Sequence, residues 1–254
     1  MSKLILKIAV FCCLVILMSF RFPPKKIKVY LIGDSTISIK QKSAYPETGW
    51  GMPFANFFDD DVEVDNRAQN GRSTKSFLAE KRWKPVVDSL KEGDYVFIQF
   101  GHNDEGKEKV GRYTTIDEFK TNLIKYVKET KSKKANPVLI TPVSRRSFDD
   151  AGKARETHPG YMEAVKEVAK AQNVPLIDLD QQSMELYEKF GVESSKLLFV
   201  QLAPGVHPNY PDGRADNTHF NELGAREIAQ LVLREIRNLR LPLANHIVKP
   251  AVKK

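Results

Sequence analysis

Continuously apolar runs of β type alternate along this chain with segments of helical period, and few folds accommodate that alternation. A strand that is apolar at every position, such as Tyr95-Val96-Phe97-Ile98, needs cover on both faces. Strands are predicted at residues 27–32, 62–64, 95–100, 138–141 and 175–177. Helices are predicted between them at residues 52–58, 73–90 with an interruption at Pro85, 116–130, 160–172, 181–190 and 221–239. The pattern is that of a parallel sheet sandwiched by helices, an α/β fold. With 41% hydrophobic and 28% charged residues, the 254-residue chain can bury a sizeable core, which excludes disorder, collagen and coiled coil. No repeat, low-complexity tract or composition break divides residues 23–254, so they are read as one domain. Residues 144–159 and 199–216, rich in Pro, Gly, Arg and Asp, are expected to be long loops, functional or mobile.

The first 22 residues read as targeting rather than fold. Lys3 and Lys7 lead into residues 8–20, which carry no charge; that run is too short for a spanning helix of about 20 residues and suits a signal peptide. Export to the periplasm or the extracellular space is the expectation. Met18-Ser19-Phe20 lacks the small-x-small cleavage pattern, so an uncleaved N-terminal anchor is the alternative, and membrane contact is expected only through this segment. Both cysteines, Cys12 and Cys13, lie in the same run, so a processed chain has no thiol for a disulfide, a nucleophile or a zinc site. Removing Lys3, Lys7 and Arg21 lowers the net charge from +8 to +5. For an exported protein that excess fits an acidic polysaccharide or oligosaccharide better than nucleic acid.

In open α/β sheets the site forms beyond the carboxyl ends of the strands. The segments just after the first three predicted strands are Gly33-Asp34-Ser35-Thr36, Asn66-Arg67-Ala68-Gln69-Asn70-Gly71 and Gly101-His102-Asn103-Asp104. All three are small, polar and chemically capable. A serine at position 35 needs a base, and the base needs an orienting group. Asp216-Asn217-Thr218-His219 supplies both, with Asp216 on Nδ1 of His219 and Nε2 left to take the Ser35 proton. Read alone, Asp216 is an ordinary helix cap and His219 a surface histidine. Gly71 and Asn103 are natural donors to an oxyanion, although each type is common in turns for reasons unrelated to catalysis.

Taken together, Gly33-Asp34-Ser35, Gly71, Gly101-His102-Asn103-Asp104 and Asp216 to His219 resemble, in order and placement, the four sequence blocks of the SGNH or GDSL-type hydrolases. Gly49-Trp50-Gly51, Asn70-Gly71-Arg72-Ser73-Thr74-Lys75 and Tyr210-Pro211-Asp212-Gly213 are similar to the rhamnogalacturonan acetylesterase branch of carbohydrate esterases. The resemblance implies a three-layer α/β/α, flavodoxin-like fold around a five-stranded parallel sheet, with no metal and no organic cofactor. It implies Ser35 as nucleophile, His219 as base, Asp216 as its partner, and an oxyanion hole from Ser35 N–H, Gly71 N–H and the Asn103 amide. The implied substrate is an O-acetyl ester on galacturonate in rhamnogalacturonan.

Trp50, Arg72, Arg145, Arg146 and His207 are expected to touch that substrate, with Lys75 and Arg214 as further cations near it; a guanidinium matches a sugar carboxylate bidentately. Trp50 alternatively packs inside, and His102 is expected to be structural. Two other classes compete. Asp34, His102, Asn103, Asp104, Asp216 and His219 are ligand-capable, as a metal-dependent phosphoesterase requires, but they supply too few groups per strand end for a two-metal site. A catalytically silent carbohydrate-binding protein and an esterase for another acylated carbohydrate or small ester are the remaining alternatives.

Overall fold

The computed structural model describes residues 26–248; the expected targeting segment at residues 1–22 lies outside them. Five strands form one parallel sheet: β1 (Ile27–Gly33), β2 (Val62–Asn66), β3 (Tyr95–Gln99), β4 (Asn136–Ile140) and β5 (Leu176–Ile177), in the order β2-β1-β3-β4-β5. Each strand overlaps the span predicted for it, with ends shifted by up to two residues. Along β1, Val29 and Leu31 pack on one face and Tyr30 and Ile32 on the other, the period-2 division a sheet covered on both sides demands.

Among the described residues, seven α-helices supply that cover. On the Val29 face lie α1 (Gly51–Phe54), α6 (Leu179–Ser194) and α7 (Glu222–Asn238), contributing Phe54, Tyr187, Ile228 and Val232. On the Tyr30 face lie α2 (Thr74–Ala79), α3 (Trp83–Ser89), α4 (Ile116–Ser132) and α5 (Tyr161–Gln172), contributing Phe77, Trp83, Phe119 and Val165. The long helical run predicted at 73–90 does split, but at residues 80–82 rather than at Pro85. Lys81 takes a left-handed φ of 57°, and Pro85 falls in the first turn of α3, where its missing N–H costs no helix bond. Gly191, at φ 80°, marks the end of regular helix in α6 close to the predicted boundary.

One expectation fails. Residues 199–216 are not a single loop: β6 (Phe199–Leu202) and β7 (Arg214–Phe220) form a separate antiparallel ribbon, with Phe199 opposite Phe220 and Leu202 opposite Arg214. Only the connection between the two strands is irregular. The ribbon matters because β7 carries Asp216 and His219. Its end is tied down at once: Asn221 accepts from Gly224 N at 3.0 Å as the cap of α7, and donates to the carbonyls of Leu197 at 2.8 Å and Phe199 at 3.1 Å.

Gly224 lets α7 approach the short turn, Ser195–Leu198, that leads into β6. A methyl on Gly224 would stand 1.9 Å from the Leu198 carbonyl oxygen, backbone that has nowhere to go. Gly224→Ala is therefore expected to destabilise the fold by about 1–3 kcal/mol or more by overpacking, and to displace His219. Chemical denaturation checks this: the midpoint should fall with the m-value unchanged, and a shift under about 0.5 kcal/mol would contradict the packing argument.

Candidate active site

The turn after β1 is built to hold one hydroxyl above the sheet edge. Asp34 is fully buried, and its Oδ1 accepts from Thr36 N at 2.9 Å and Thr36 Oγ1 at 2.8 Å. Its carbonyl accepts from Ile37 N at 3.3 Å and Ser38 N at 3.2 Å. Burial alone would raise the Asp34 carboxyl, but the nearby His102 ring and the Thr36 donors hold it below its usual range. Below the turn Trp50 donates Nε1 to Gln99 Oε1 at 2.8 Å, and Gln99 Nε2 reaches Thr36 Oγ1 at 3.3 Å. Trp50 is 0% exposed, so it packs under the turn and offers no face to a sugar, which corrects its expected substrate contact.

Ser35 Oγ lies 2.9 Å from His219 Nε2, and His219 Nδ1 lies 2.9 Å from Asp216 Oδ2. An ionised carboxylate only accepts, so the Nδ1–H donates to it and Nε2 is left to accept from the Ser35 hydroxyl. Asp216 Oδ1 accepts from Thr218 N at 2.8 Å and His219 N at 2.9 Å, while Arg214 donates to Oδ2 from Nε at 3.1 Å and Nη2 at 2.5 Å. Burial opposes the charge on Asp216, but the bonds from His219 and Arg214 outweigh it and hold the carboxyl well below the usual carboxylate range.

Three loops meet at this point. Gln69 N donates to the Gly33 carbonyl at 3.0 Å, and Asn103 Nδ2 donates to the Arg72 carbonyl at 3.2 Å, so the segments after β1, β2 and β3 are laced to one another. Gly71 has φ +74°, a conformation that favours glycine. Among the described residues no acceptor is within reach of the backbone N–H of Ser35 or Gly71. Asn103 keeps its second amide hydrogen uncommitted. These are donors of the kind that stabilise an oxyanion.

Sequence reasoning missed a buried ion pair beside this relay. Lys40 Nζ lies 2.5 Å from Glu47 Oε1, donates to Asn70 Oδ1 at 2.9 Å, and also reaches the Ser35 carbonyl. Glu47 Oε1 is in turn 3.9 Å from His219 Nε2. Burial pulls the Lys40 ammonium down, and the Glu47 carboxylate opposes that pull. Nothing in the polar stretch Lys40-Gln41-Lys42-Ser43 distinguishes such a lysine from a solvated one.

A cleft of about 700 Å³ borders the pair, lined among others by Tyr45, Glu47, His207, Asn209, Glu222 and Arg226. His207 thus lies on its wall, with Nδ1 accepting from Asn209 N at 3.1 Å and its ring 5.5 Å from that of Tyr45. The arginines expected to bind substrate are engaged within the protein. Arg72 holds Glu80 from Nε at 3.0 Å and the Asn70 carbonyl from Nη1 at 2.9 Å. Arg145 holds Glu105 and the Thr157 carbonyl, and Arg146 holds Ser195 Oγ at 2.9 Å, Asn217 Oδ1 at 3.2 Å and the Val192 carbonyl. Lys75 reaches only the Tyr113 carbonyl, at 3.4 Å.

His102 lies under the site, its Nδ1 3.4 Å from Asp34 Oδ2 and its ring 4.2 Å from that of His158. Burial, His102 and Arg145 together push the His158 imidazole well below its usual range. The ligand-capable groups at the strand ends meet only in pairs, Asp34 with His102 and Asp216 with His219. Among the described residues the three-ligand group is Asp59, Asp61 and His246, all outside these loops, so the donor set does not support the phosphoesterase alternative.

A family model described as the GDSL-like Lipase/Acylhydrolase family matches residues 31–226. The chain belongs to that family and is a carboxylic ester hydrolase. It is 44% identical over 224 residues to the rhamnogalacturonan acetylesterase RhgT of Bacillus subtilis, covering 88% of this chain and 95% of that one. It is 28% identical over 228 residues to the rhamnogalacturonan acetylesterase of Emericella nidulans, covering 82% and 84%. The solved structure of YXIM from Bacillus subtilis superposes at TM-score 0.75 and 24% identity, covering 87% of this chain, which spans 58% of that one. A catalytic mutant of the acetylxylan esterase Axe2 from Geobacillus stearothermophilus superposes at TM-score 0.61 and 20% identity over 84% and 95%.

Asp104, next to Asn103, accepts from Thr74 N at 3.0 Å, Thr74 Oγ1 at 2.5 Å and Thr114 Oγ1 at 3.1 Å, yet complete burial pushes its carboxyl up to about 8. A carboxyl raised in the folded state favours folding fully below about pH 4, and that contribution is lost as pH climbs through about 8. Asp104→Asn keeps the shape and cannot ionise. Its denaturation midpoint is expected to fall less than that of the wild type between pH 5 and pH 9, and parallel midpoints would refute the assignment.

Proposed function

We propose that this chain is a serine esterase that removes O-acetyl groups from the rhamnogalacturonan of pectin through an acyl-enzyme. The observation that carries the reading is the unbroken Asp216–His219–Ser35 relay, with contacts of 2.9 Å at both joints. In the first step Ser35 Oγ bonds to the acetyl carbonyl carbon while its proton passes to His219 Nε2. The carbonyl oxygen becomes an oxyanion facing the N–H groups of Ser35 and Gly71 and the Asn103 amide, each worth roughly 2.7–4 kcal/mol when well placed. The ester C–O bond then breaks and His219 returns the proton to the sugar oxygen, leaving acetyl-Ser35. Water attacks that ester, gives its proton to His219, and acetate departs as the Ser35 hydroxyl is restored.

The substrate reading is supported by the RhgT likeness, 44% identical over most of both chains. It is also supported by a cleft whose wall carries tyrosine, histidine, asparagine and charged groups able to hydrogen-bond sugar hydroxyls. Residues 1–22, read as an export signal, would deliver the enzyme to where polymeric substrate is found.

Acetate release from acetylated rhamnogalacturonan, acetylated xylan and acetylated homogalacturonan tests the assignment. Release is expected to be fastest from the first; release from xylan alone moves the chain to another carbohydrate esterase. Ser35→Ala and His219→Ala are each expected to lower kcat by on the order of 10⁴ to 10⁶, and the double variant to be scarcely worse, because such groups act as a unit. Losses that multiply would refute the relay.

A further inference from the structure

Cations near the site differ in what their donors already hold. Arg72, Arg145 and Arg146 are bound by internal acceptors, Arg214 is bound to Asp216, and Lys40 to Glu47. Arg112 is unlike them. Among the described residues, no acceptor is within hydrogen-bond or ion-pair distance of its guanidinium. Carboxylates of the neighbouring segments are held by other cations: Glu80 by Arg72 and Arg82, Glu105 by Arg145, and Glu108 lies 3.7 Å from Lys109.

Where that guanidinium lies gives it meaning. A methyl built on Gly71 would stand 3.1 Å from Arg112 Nη1, 3.3 Å from Cζ and 3.5 Å from Nη2. Near-equal distances to those three atoms place the point over the guanidinium plane rather than in line with an N–H. The face of the group is therefore against Gly71, and its in-plane fork of donors stays available. The backbone beneath it is fixed. Arg112 N donates to the Lys109 carbonyl at 2.8 Å, Thr114 N donates to the Asp104 carbonyl at 2.9 Å, and Tyr161 donates its hydroxyl to the carbonyls of Asp104 and Thr114. The same Asp104 segment carries Asn103, so Arg112 is held relative to the amide donors of the site.

We propose that Arg112 is the carboxylate-binding residue of the substrate site, taking the acid group of a uronate ring whose O-acetyl carbonyl faces the N–H groups of Gly71 and Ser35. The inference rests on the acidic-sugar reading above. A uronate carries its carboxylate and its acetyl ester on one six-membered ring, so a guanidinium lying on Gly71 is in reach of the first while the Gly71 N–H faces the second. A planar fork binds a carboxylate bidentately, and its positive charge offsets the repulsion between that carboxylate and the oxyanion forming beside it.

The test compares kcat/KM on an acetylated galacturonate-containing oligosaccharide with that on its carboxyl-reduced, neutral form. The wild type is expected to prefer the acidic form by on the order of 10- to 100-fold, the range of hydrogen bonds to charged groups. Arg112→Gln is expected to reduce that preference to under about threefold, chiefly through KM, and Arg112→Lys to be intermediate because it keeps charge without the fork. Unacetylated oligogalacturonate, used as an inhibitor of p-nitrophenyl acetate hydrolysis, should show a Ki raised by a similar factor in Arg112→Gln. A wild-type preference near one overturns the acidic-substrate reading itself. A high preference that Arg112→Gln preserves, with Ki unchanged, overturns the role of Arg112 alone.

Discussion

The parallel register of β1 against both its neighbours is the constraint from which the site follows. Leu31 pairs with Asn66 and Gly33 with Gln99, so the carboxyl ends of β2, β1 and β3 finish at nearly one level and their loops must emerge together. The approach is close: a methyl on Gly33 would stand 2.4 Å from the Gln99 carbonyl oxygen. A bulkier residue there would part β1 from β3 and separate Ser35 from Asn103. Hydrophobic cover on both faces fixes this register, because slipping a strand by one residue would exchange its two apolar sets. Packing far from the chemistry thus places three polar loops at one edge.

Charge then sorts the buried acids into different states. Asp104 has hydroxyl and backbone donors but no cation in contact, and desolvation wins. Asp216 is less buried, accepts two backbone N–H bonds and faces Arg214 and His219, and there the donors win. Asp34 is as buried as Asp104 yet has His102 opposite it, which tips the balance the other way. The comparison isolates the deciding variable. Burial alone does not set the charge of a carboxylate here; a facing nitrogen does.

Fold and site were legible in the sequence to unequal degrees, for physical reasons. The central strands β1, β3 and β4 could be read because burial on two faces leaves an uninterrupted apolar run, whereas β2, Val-Glu-Val-Asp-Asn at the sheet edge, shows only Val62 and Val64. β6 and β7 could not: the ribbon alternates Phe199 and Val200 with Gln201, and Arg214, Asp216 and Asn217 lie within a strand whose composition is that of a loop. Ser35, Asp216 and His219 sit where motif spacing put them, since a serine after a strand and an acid three residues before a histidine have few geometries. Partner choice among the cations was invisible. Arg72 and Glu80 are eight residues apart and Arg145 and Glu105 forty, so no local pattern says which guanidinium is bound. Trp50 illustrates the converse limit, because an amphipathic ring is equally at home under a turn or against a sugar until its burial is known.

Gly71 carries more than one requirement, and they are compatible only in glycine. Its φ of +74° favours glycine, and its missing side chain leaves room for the guanidinium of Arg112. An alanine would face both objections together, backbone strain at positive φ and a contact of 3.1 Å with Arg112 Nη1. The guanidinium ends a long side chain and can give way, but only by leaving the face of Gly71. If Arg112 takes the substrate's acid as proposed, recognition of the acid and stabilisation of the acyl oxygen are coupled through one small residue rather than built as separate sites.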